Sequence, residues 1–228
     1  MWLSWEMTII LGLTVILIAL FAVGSIWNRR IQRSFWRRLR EELKRYSRKI
    51  SFKSLGSSGF KVAFRPSSGP LSKVEVSLVL LAREMPLYLL TAYAVGRRDL
   101  VVVKANLLKK PDFRLEVFGR GAKLEKEVAL KEEVFRPVRI GGLSRYMNIR
   151  SDRPDRALDV LSGDVLELLM ALRGRLERFS VSRREPHILI ACRRDESKIG
   201  ELFGLLEATA KAICGPGEGP TRGRRGRR

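Results

Sequence analysis

A run of 21 residues without a charge, from Met7 to Trp27, constrains this chain more than any other feature. A helix of that length spans about 31 Å, close to the thickness of the hydrocarbon core of a bilayer. Tryptophans lie near both ends of the run, at Trp2, Trp5 and Trp27, where interfacial aromatic side chains are typical. Because the run has no polar face, it disfavours a core helix of a soluble protein. The sequence therefore predicts a transmembrane helix within residues 1–27.

The charges around this run predict its orientation. Only Glu6 and the terminal amine precede it, whereas the basic sequence NRRIQRSFWRRLR follows it. Positive charge stays on the cytoplasmic side, so we expect the N-terminus outside the cell membrane and everything after Trp27 in the cytoplasm. A cleaved signal peptide is the alternative, since Ala22-Val23-Gly24 offers small residues for cleavage. The run lacks a basic region before it and is longer than a signal peptide requires, which favours an uncleaved anchor.

Residues 28–50 predict a basic amphipathic helix next to the membrane. Apolar residues recur at helical spacing from Ile31 to Ile50, and the opposite face is mostly arginine and lysine. Such a helix can dock the following domain, lie on anionic lipid or present cations to phosphate, and the pattern leaves these alternatives open. The candidate lipid or phosphate contacts are Arg29, Arg30, Arg33, Arg37, Arg38 and Arg40.

Residues 51–214 predict one cytoplasmic α+β domain. Alternating and β-branched segments favour strands, and segments with helical spacing, capping residues and terminal glycines favour helices. Short turns join neighbouring strands, so we expect a mainly antiparallel sheet covered by helices. The expected strands are 60–64, 74–81, 98–105, 114–118, 146–150, 176–181 and 187–192, and the expected helices are 86–95, 154–161, 164–173 and 197–213.

The last segment, 215–228, is glycine, proline and arginine with little else, so we expect it to be disordered alone. It adds to a formal net charge of +21. Flexible arginine-rich arms bind phosphate backbones without sequence specificity, which makes RNA the expected ligand. A solubilising tail, or one attracted to anionic lipid, is the alternative. The candidate ribosomal RNA contacts are Arg222, Arg224, Arg225, Arg227 and Arg228.

The sequence carries no recognisable catalytic motif. It has one histidine and two cysteines, too few for a zinc site built from those residues alone. His187 opens an apolar strand, and Cys192 and Cys214 fit small core positions. Acidic pairs such as Asp152 and Asp155 suit helix starts. We therefore expect no cofactor, no metal and no enzymatic activity. An anchored enzyme would need carboxylates that meet only in space.

Five segments together resemble the calumin-like family, the single-pass subunit of the PAT complex beside the translocon. They are NRRIQRSFWRRLREEL, RRDLVVVKANLLKKPDFRLEVFGRG, LSGDVLELLMALRGRLERFSVS, HILIAC and IGELFGLLEATAKAI, within residues 7–213. The resemblance implies an accessory factor or chaperone for inserting multipass membrane proteins, in a short prokaryotic, archaeal form. The implied partners are the Sec translocon, the ribosome and a small membrane protein. A membrane-tethered nucleic-acid-binding or scaffold protein is the alternative function.

Overall fold

The computed structural model describes residues 4–119 and 135–215, and it confirms the α+β fold class. Within these residues nine strands form one antiparallel sheet, accompanied by five α-helices. The strands are β1 Ile50–Ser54, β2 Gly59–Phe64, β3 Leu71–Val79, β4 Leu100–Leu107, β5 Leu115–Gly119, β6 Arg136–Pro137, β7 Met147–Ser151, β8 Leu176–Val181 and β9 Ile188–Arg193. The helices are α1 Trp5–Leu43, α2 Pro86–Ala94, α3 Pro154–Val160, α4 Gly163–Ala171 and α5 Ile199–Cys214.

Helix α1 is unbroken for 39 residues, which is about 58 Å. Its first half exposes almost every large apolar side chain, and it is the helix among the described residues that is long and apolar enough to cross a membrane. Its second half packs on the domain through Phe35, Leu39 and Leu43, all fully buried. The expected membrane helix and basic helix are therefore two halves of one continuous α-helix.

The prediction of a helix over residues 28–50 is wrong at its end. Helix α1 ends at Leu43, and Ile50 begins β1, where it pairs with Phe64. Tyr46 lies after the helix yet packs against Phe64 and Phe203, with ring centroids 6.2 and 5.1 Å apart. The chain turns while its apolar side chains continue to meet the same core, so helical spacing persists beyond the helix.

The sheet runs in the order β1-β2-β3-β4-β9-β8-β5-β7-β6. The first four strands are sequential neighbours, and β9 returns from near the C-terminus to pair with β4, with Val103 opposite Ile190. Alternate residues on the central strands are buried, so one face of the sheet carries the core. Helix α5 packs on β4 and β9, and α3 and α4 pack on α5. The predicted helical layer over the sheet is thereby confirmed.

The turn that joins β1 to β2 is ordered in part by α1. Residues Gly56–Ser58 form a short 3₁₀ turn, and the Gln32 amide donates to the carbonyl oxygens of Gly56 and Ser57 at 2.9 and 3.1 Å.

The two candidate RNA-binding segments differ in what the structure describes. The arginines of α1 lie within it, whereas Arg222 to Arg228 lie outside the described residues and their role stays a prediction.

Candidate functional site at the membrane end of α1

The domain makes close contact with α1 where the apolar run ends. Gly24 and Asn28 are the buried positions there, and both face the loop that joins β3 to α2. A Cβ atom on Gly24 would lie 2.3 Å from the carbonyl oxygen of Arg83, so only glycine admits this approach. One turn later, Asn28 donates to the carbonyl oxygen of Leu81 at 2.9 Å and accepts from the Arg83 guanidinium at 2.8 Å. Because Asn28 is fully buried, these bonds fix its amide in one orientation.

Behind Asn28 lies a buried ion pair between Arg83 and Asp99. The guanidinium donates to both carboxylate oxygens, at 3.2 and 2.8 Å, and the two side chains are only 9% and 7% exposed. Asp99 also accepts from the backbone N–H of Leu81 at 3.0 Å. Arg194 adds a second cation, its Nε 3.4 Å from the carboxylate. We call Asn28, Arg83, Asp99 and Arg194 the latch.

Further side chains contact the edge of the latch. The Arg83 guanidinium lies over the Trp27 ring, 5.8 Å from its centroid. Glu84 accepts hydrogen bonds from the Ser57 hydroxyl and, at 3.4 Å, from the Asn28 amide. Three separate chain segments thus meet at the point where α1 leaves its apolar run. The domain consequently contacts α1 at the end of the apolar run as well as near Leu43.

Helix α2 follows the latch and exposes an apolar surface. Its sequence, PLYLLTAYA, has no charge, and Leu87 and Leu90 are 80% and 69% exposed. Ala92 is its buried residue and faces the domain. A surface helix of a soluble domain has the opposite pattern, with polar side chains outward.

All six arginines predicted to contact lipid or phosphate are exposed on α1. Four of them, spaced four, four and three residues apart, share the face opposite Phe35 and Leu39. We call this set the arginine face: Arg29, Arg33, Arg37 and Arg40. Within the described chain no ion pair or side-chain hydrogen bond occupies any of the four.

Arg30, seven residues before Arg37 and so about 20° from it around the helix, borders that face, whereas Arg38 lies apart from it. Arg38 borders a groove that also contains Glu41, Glu42 and Glu196, so carboxylates offset its charge. Arg30 borders a second groove of about 600 Å³ with Trp27 and Glu196. The structure therefore brings five of the six predicted contacts to one side of α1 and separates Arg38 from them.

A basic groove lies just beyond the end of α1. It has a volume of about 770 Å³ and includes the start of β1 and the turn after β2. Its charged lining is entirely cationic among the residues that the structure describes: Arg48, Lys49, Arg65 and Lys73. The Ser51 and Ser67 side chains add hydroxyls to a surface suited to phosphate oxygens, whereas the Ser47 hydroxyl donates to the Lys49 carbonyl oxygen at 3.0 Å.

His187 and Cys192 are buried in the core of the domain. His187 is 2% exposed, and its Nδ1 accepts from the backbone N–H of Leu107 at 3.0 Å, which leaves the proton on Nε2. Burial raises the pKa of the Cys192 thiol to about 12. Across residues 4–119 and 135–215, no three of the histidine, cysteine, aspartate and glutamate side chains form a group that could hold a metal ion.

The latch, the exposed apolar face of α2 and the basic groove were not predicted from the sequence. The latch joins residues that are far apart in sequence, and pairing of that kind leaves no local pattern. The exposure of α2 did have a signal, because nine residues without a charge are unusual for a helix on a charged domain. Lys49 and Arg65 approach only because β1 pairs with β2.

No protein-family model matches this chain, and no curated protein matches it. Among solved structures it is similar to a crystal structure of the mycobacterial trehalose monomycolate transport factor A, TtfA. The identity is 10% and the TM-score is 0.49, over 82% of this chain and 96% of that chain. Identity this low carries no information on function.

Proposed function

We propose that this chain is a non-enzymatic accessory factor, or chaperone, for the co-translational insertion of multipass membrane proteins. It is anchored in the cell membrane by the first half of α1, with the domain in the cytoplasm, beside the Sec translocon and the ribosome. The observation that carries the proposal is the continuity of α1. One rigid helix bears an exposed apolar span and then an exposed arginine face, with the domain gripping both halves.

This arrangement fixes the distance between membrane and cations. The part of α1 after Trp27 is 16 residues long, which extends about 24 Å. The arginine face occupies that length, and the basic groove opens at its far end. A ribosome docked at the membrane presents phosphate-rich RNA over such distances, and unpaired arginines bind it through salt-dependent contacts. The exposed span of α1 supplies the surface on which a small membrane partner would pack.

A membrane-tethered nucleic-acid-binding or scaffold protein is the second candidate. The basic groove favours it, because four cations without a carboxylate suit any phosphate backbone. The two candidates differ in their partners. An insertion factor associates with both ribosome and translocon, whereas a tethered binder associates with nucleic acid alone.

The test is affinity purification of the full chain from mildly solubilised native membranes, with magnesium to keep ribosomes intact. Ribosomal RNA and the translocon channel are quantified in each eluate. We expect both to copurify with the native chain, and RNA to fall when all four residues of the arginine face are changed to glutamine. The matched control removes the same charge from exposed arginines of the domain outside α1: Arg139, Arg145, Arg156 and Arg184.

The outcomes separate the candidates. Recovery of both partners, with RNA lost only in the arginine-face variant, supports the insertion factor. RNA without the channel supports the tethered binder. Recovery of neither overturns both, and anionic lipid then accounts for the charge. Deleting residues 215–228 in the same experiment measures what the tail adds.

A further inference from the structure

Helix α2 is the strongest unexplained surface of the molecule. Its exposed face carries Leu87, Leu90, Thr91 and Ala94, at the spacing of one helical stripe. Met85 and Val95 extend this apolar surface at the two ends, 57% and 47% exposed. Water would contact a continuous apolar stripe if the domain stood free in solution, so something else covers it.

The position of α2 identifies what covers it. Its entry loop touches α1 at Gly24, which lies inside the apolar run, three residues before Trp27. Three residues of helix correspond to about 4.5 Å, so the Arg83 backbone lies about that far on the membrane side of the Trp27 Cα. Helix α2 begins only three residues later, at Pro86. Three residues of chain reach at most about 11 Å, so with Trp27 at the interface of the bilayer, as proposed above, the helix starts near the depth where acyl chains meet headgroups.

The residues flanking α2 match that depth. Arg97 and Arg98 follow the helix and are exposed, and their guanidinium groups approach the Tyr88 hydroxyl and the Tyr93 ring at 3.3 and 5.6 Å. Aromatic side chains with arginines beside an uncharged stripe are typical of helices that lie in the membrane interface. A protein partner would need no such border of cations, whereas lipid phosphates bind it.

We propose that α2 is an interfacial membrane helix, with Leu87 and Leu90 inserted among the acyl chains at the Trp27 end of α1. The chain thus contacts the bilayer twice, once through a spanning helix and once through a helix lying in the interface. The latch holds the two at a fixed separation, because Asn28 and Arg83 join their supporting segments. This inference stands apart from any role at the translocon.

The test places a nitroxide label on the full chain in nanodiscs of phosphatidylcholine and phosphatidylglycerol. Single cysteines replace Leu87 or Leu90 in a Cys214→Ser background, in which Cys192 stays buried. Matched controls are Leu108→Cys and Leu158→Cys, exposed leucines elsewhere on the domain. Ile10→Cys, within the apolar run, reports separately whether α1 itself lies in the bilayer.

The readout is the accessibility of each label to oxygen, which concentrates in lipid, relative to a nickel chelate, which stays in water. We expect oxygen to dominate at 87 and 90, as at 10, and the preference to reverse at 108 and 158. Labels at 87 and 90 that behave like the two controls, with position 10 in lipid, overturn the proposal. Apart from the scaffold belt at their edge the nanodiscs hold no other protein, so a surface reserved for a protein partner gives that overturning result.

A second variant tests the placement. Gly24→Leu forces the Arg83 backbone away from α1, whereas Gly12→Leu meets no atom within 4 Å. We expect Gly24→Leu to move the label at 87 toward the nickel chelate and Gly12→Leu to leave it unchanged. Equal effects of the two substitutions would contradict the contact at Gly24 as the feature that sets the depth of α2.

Discussion

Removal of the Asp99 carboxylate should destabilise the domain more than any other single loss of charge at the latch. Asp99→Ala leaves the Arg83 guanidinium, 9% exposed, without its counterion and leaves the Leu81 N–H without an acceptor. It also removes the carboxylate 3.4 Å from Arg194. Breaking a buried ion pair from one side costs about 3–5 kcal/mol, because the remaining charge stays desolvated.

The magnitude sets a measurable shift in melting temperature. For a domain of this size, 1 kcal/mol corresponds to about 2–4 °C, so the expected decrease is about 6–20 °C. Thermal unfolding of the full chain in detergent can be followed by near-ultraviolet circular dichroism and tryptophan fluorescence. Trp36 packs against Phe52 and Phe60, with ring centroids 5.2 and 5.7 Å apart, so its emission reports on the core.

The matched control is Asp112→Ala. Asp112 pairs with Arg153, but the two side chains are 57% and 53% exposed. Exposed pairs contribute about 0–1 kcal/mol, so the melting temperature should fall by about 4 °C at most. Similar decreases for Asp99→Ala and Asp112→Ala would refute the reasoning, because burial would then make no difference. Combining Asp99→Ala with Arg83→Ala should cost less than the sum of the two single changes.

Three further predictions concern other parts of the structure. Phe35→Ala, at a fully buried position on α1, should cost about 3–5 kcal/mol, measured by the same melting experiment, whereas Phe21→Ala on the exposed half should leave the domain unchanged. Cys214 should react with a maleimide at pH 8 while buried Cys192 does not, and mass spectrometry after native and denatured labelling distinguishes the two. The pKa of the Cys192 thiol is about 12 in the fold, against an ordinary 9.0, so the unfolded chain loses the thiol proton at lower pH than the folded chain. The free energy of unfolding should therefore fall as the pH rises above about 9. It should fall less in Cys192→Ser, which has no thiol at this position.

Much of the domain is predictable from sequence because its elements are locally marked. The strand around 187–192 and the helix around 197–213 lie within a few residues of β9 and α5. Pro86 at the start of α2 follows the rule that proline occupies the first helical turn. The end of α1 is not predictable in this way, since Leu43, Tyr46 and Ile50 keep helical spacing although the last two lie outside the helix.

The candidate site is likewise predictable only where its residues follow a local pattern. Exposure of the arginine face follows from helical spacing alone, so the sequence predicts it. The latch requires knowing that a loop after β3 returns to Gly24 and Asn28, which are 59 and 55 residues before Arg83. The sequence places Asp99 at the start of a strand but carries no sign that its carboxylate binds two arginines.

On the proposed membrane topology, the absence of a hinge in α1 makes the domain follow the tilt of the first half of the helix. A spanning helix tilts further in a thinner bilayer, and a rigid extension must tilt with it. The docked half extends about 24 Å beyond Trp27, so a change in tilt of about 10° swings its far end by about 4 Å. On that topology, membrane thickness would set the angle at which the basic groove faces a cytoplasmic partner, without any ligand binding to the chain.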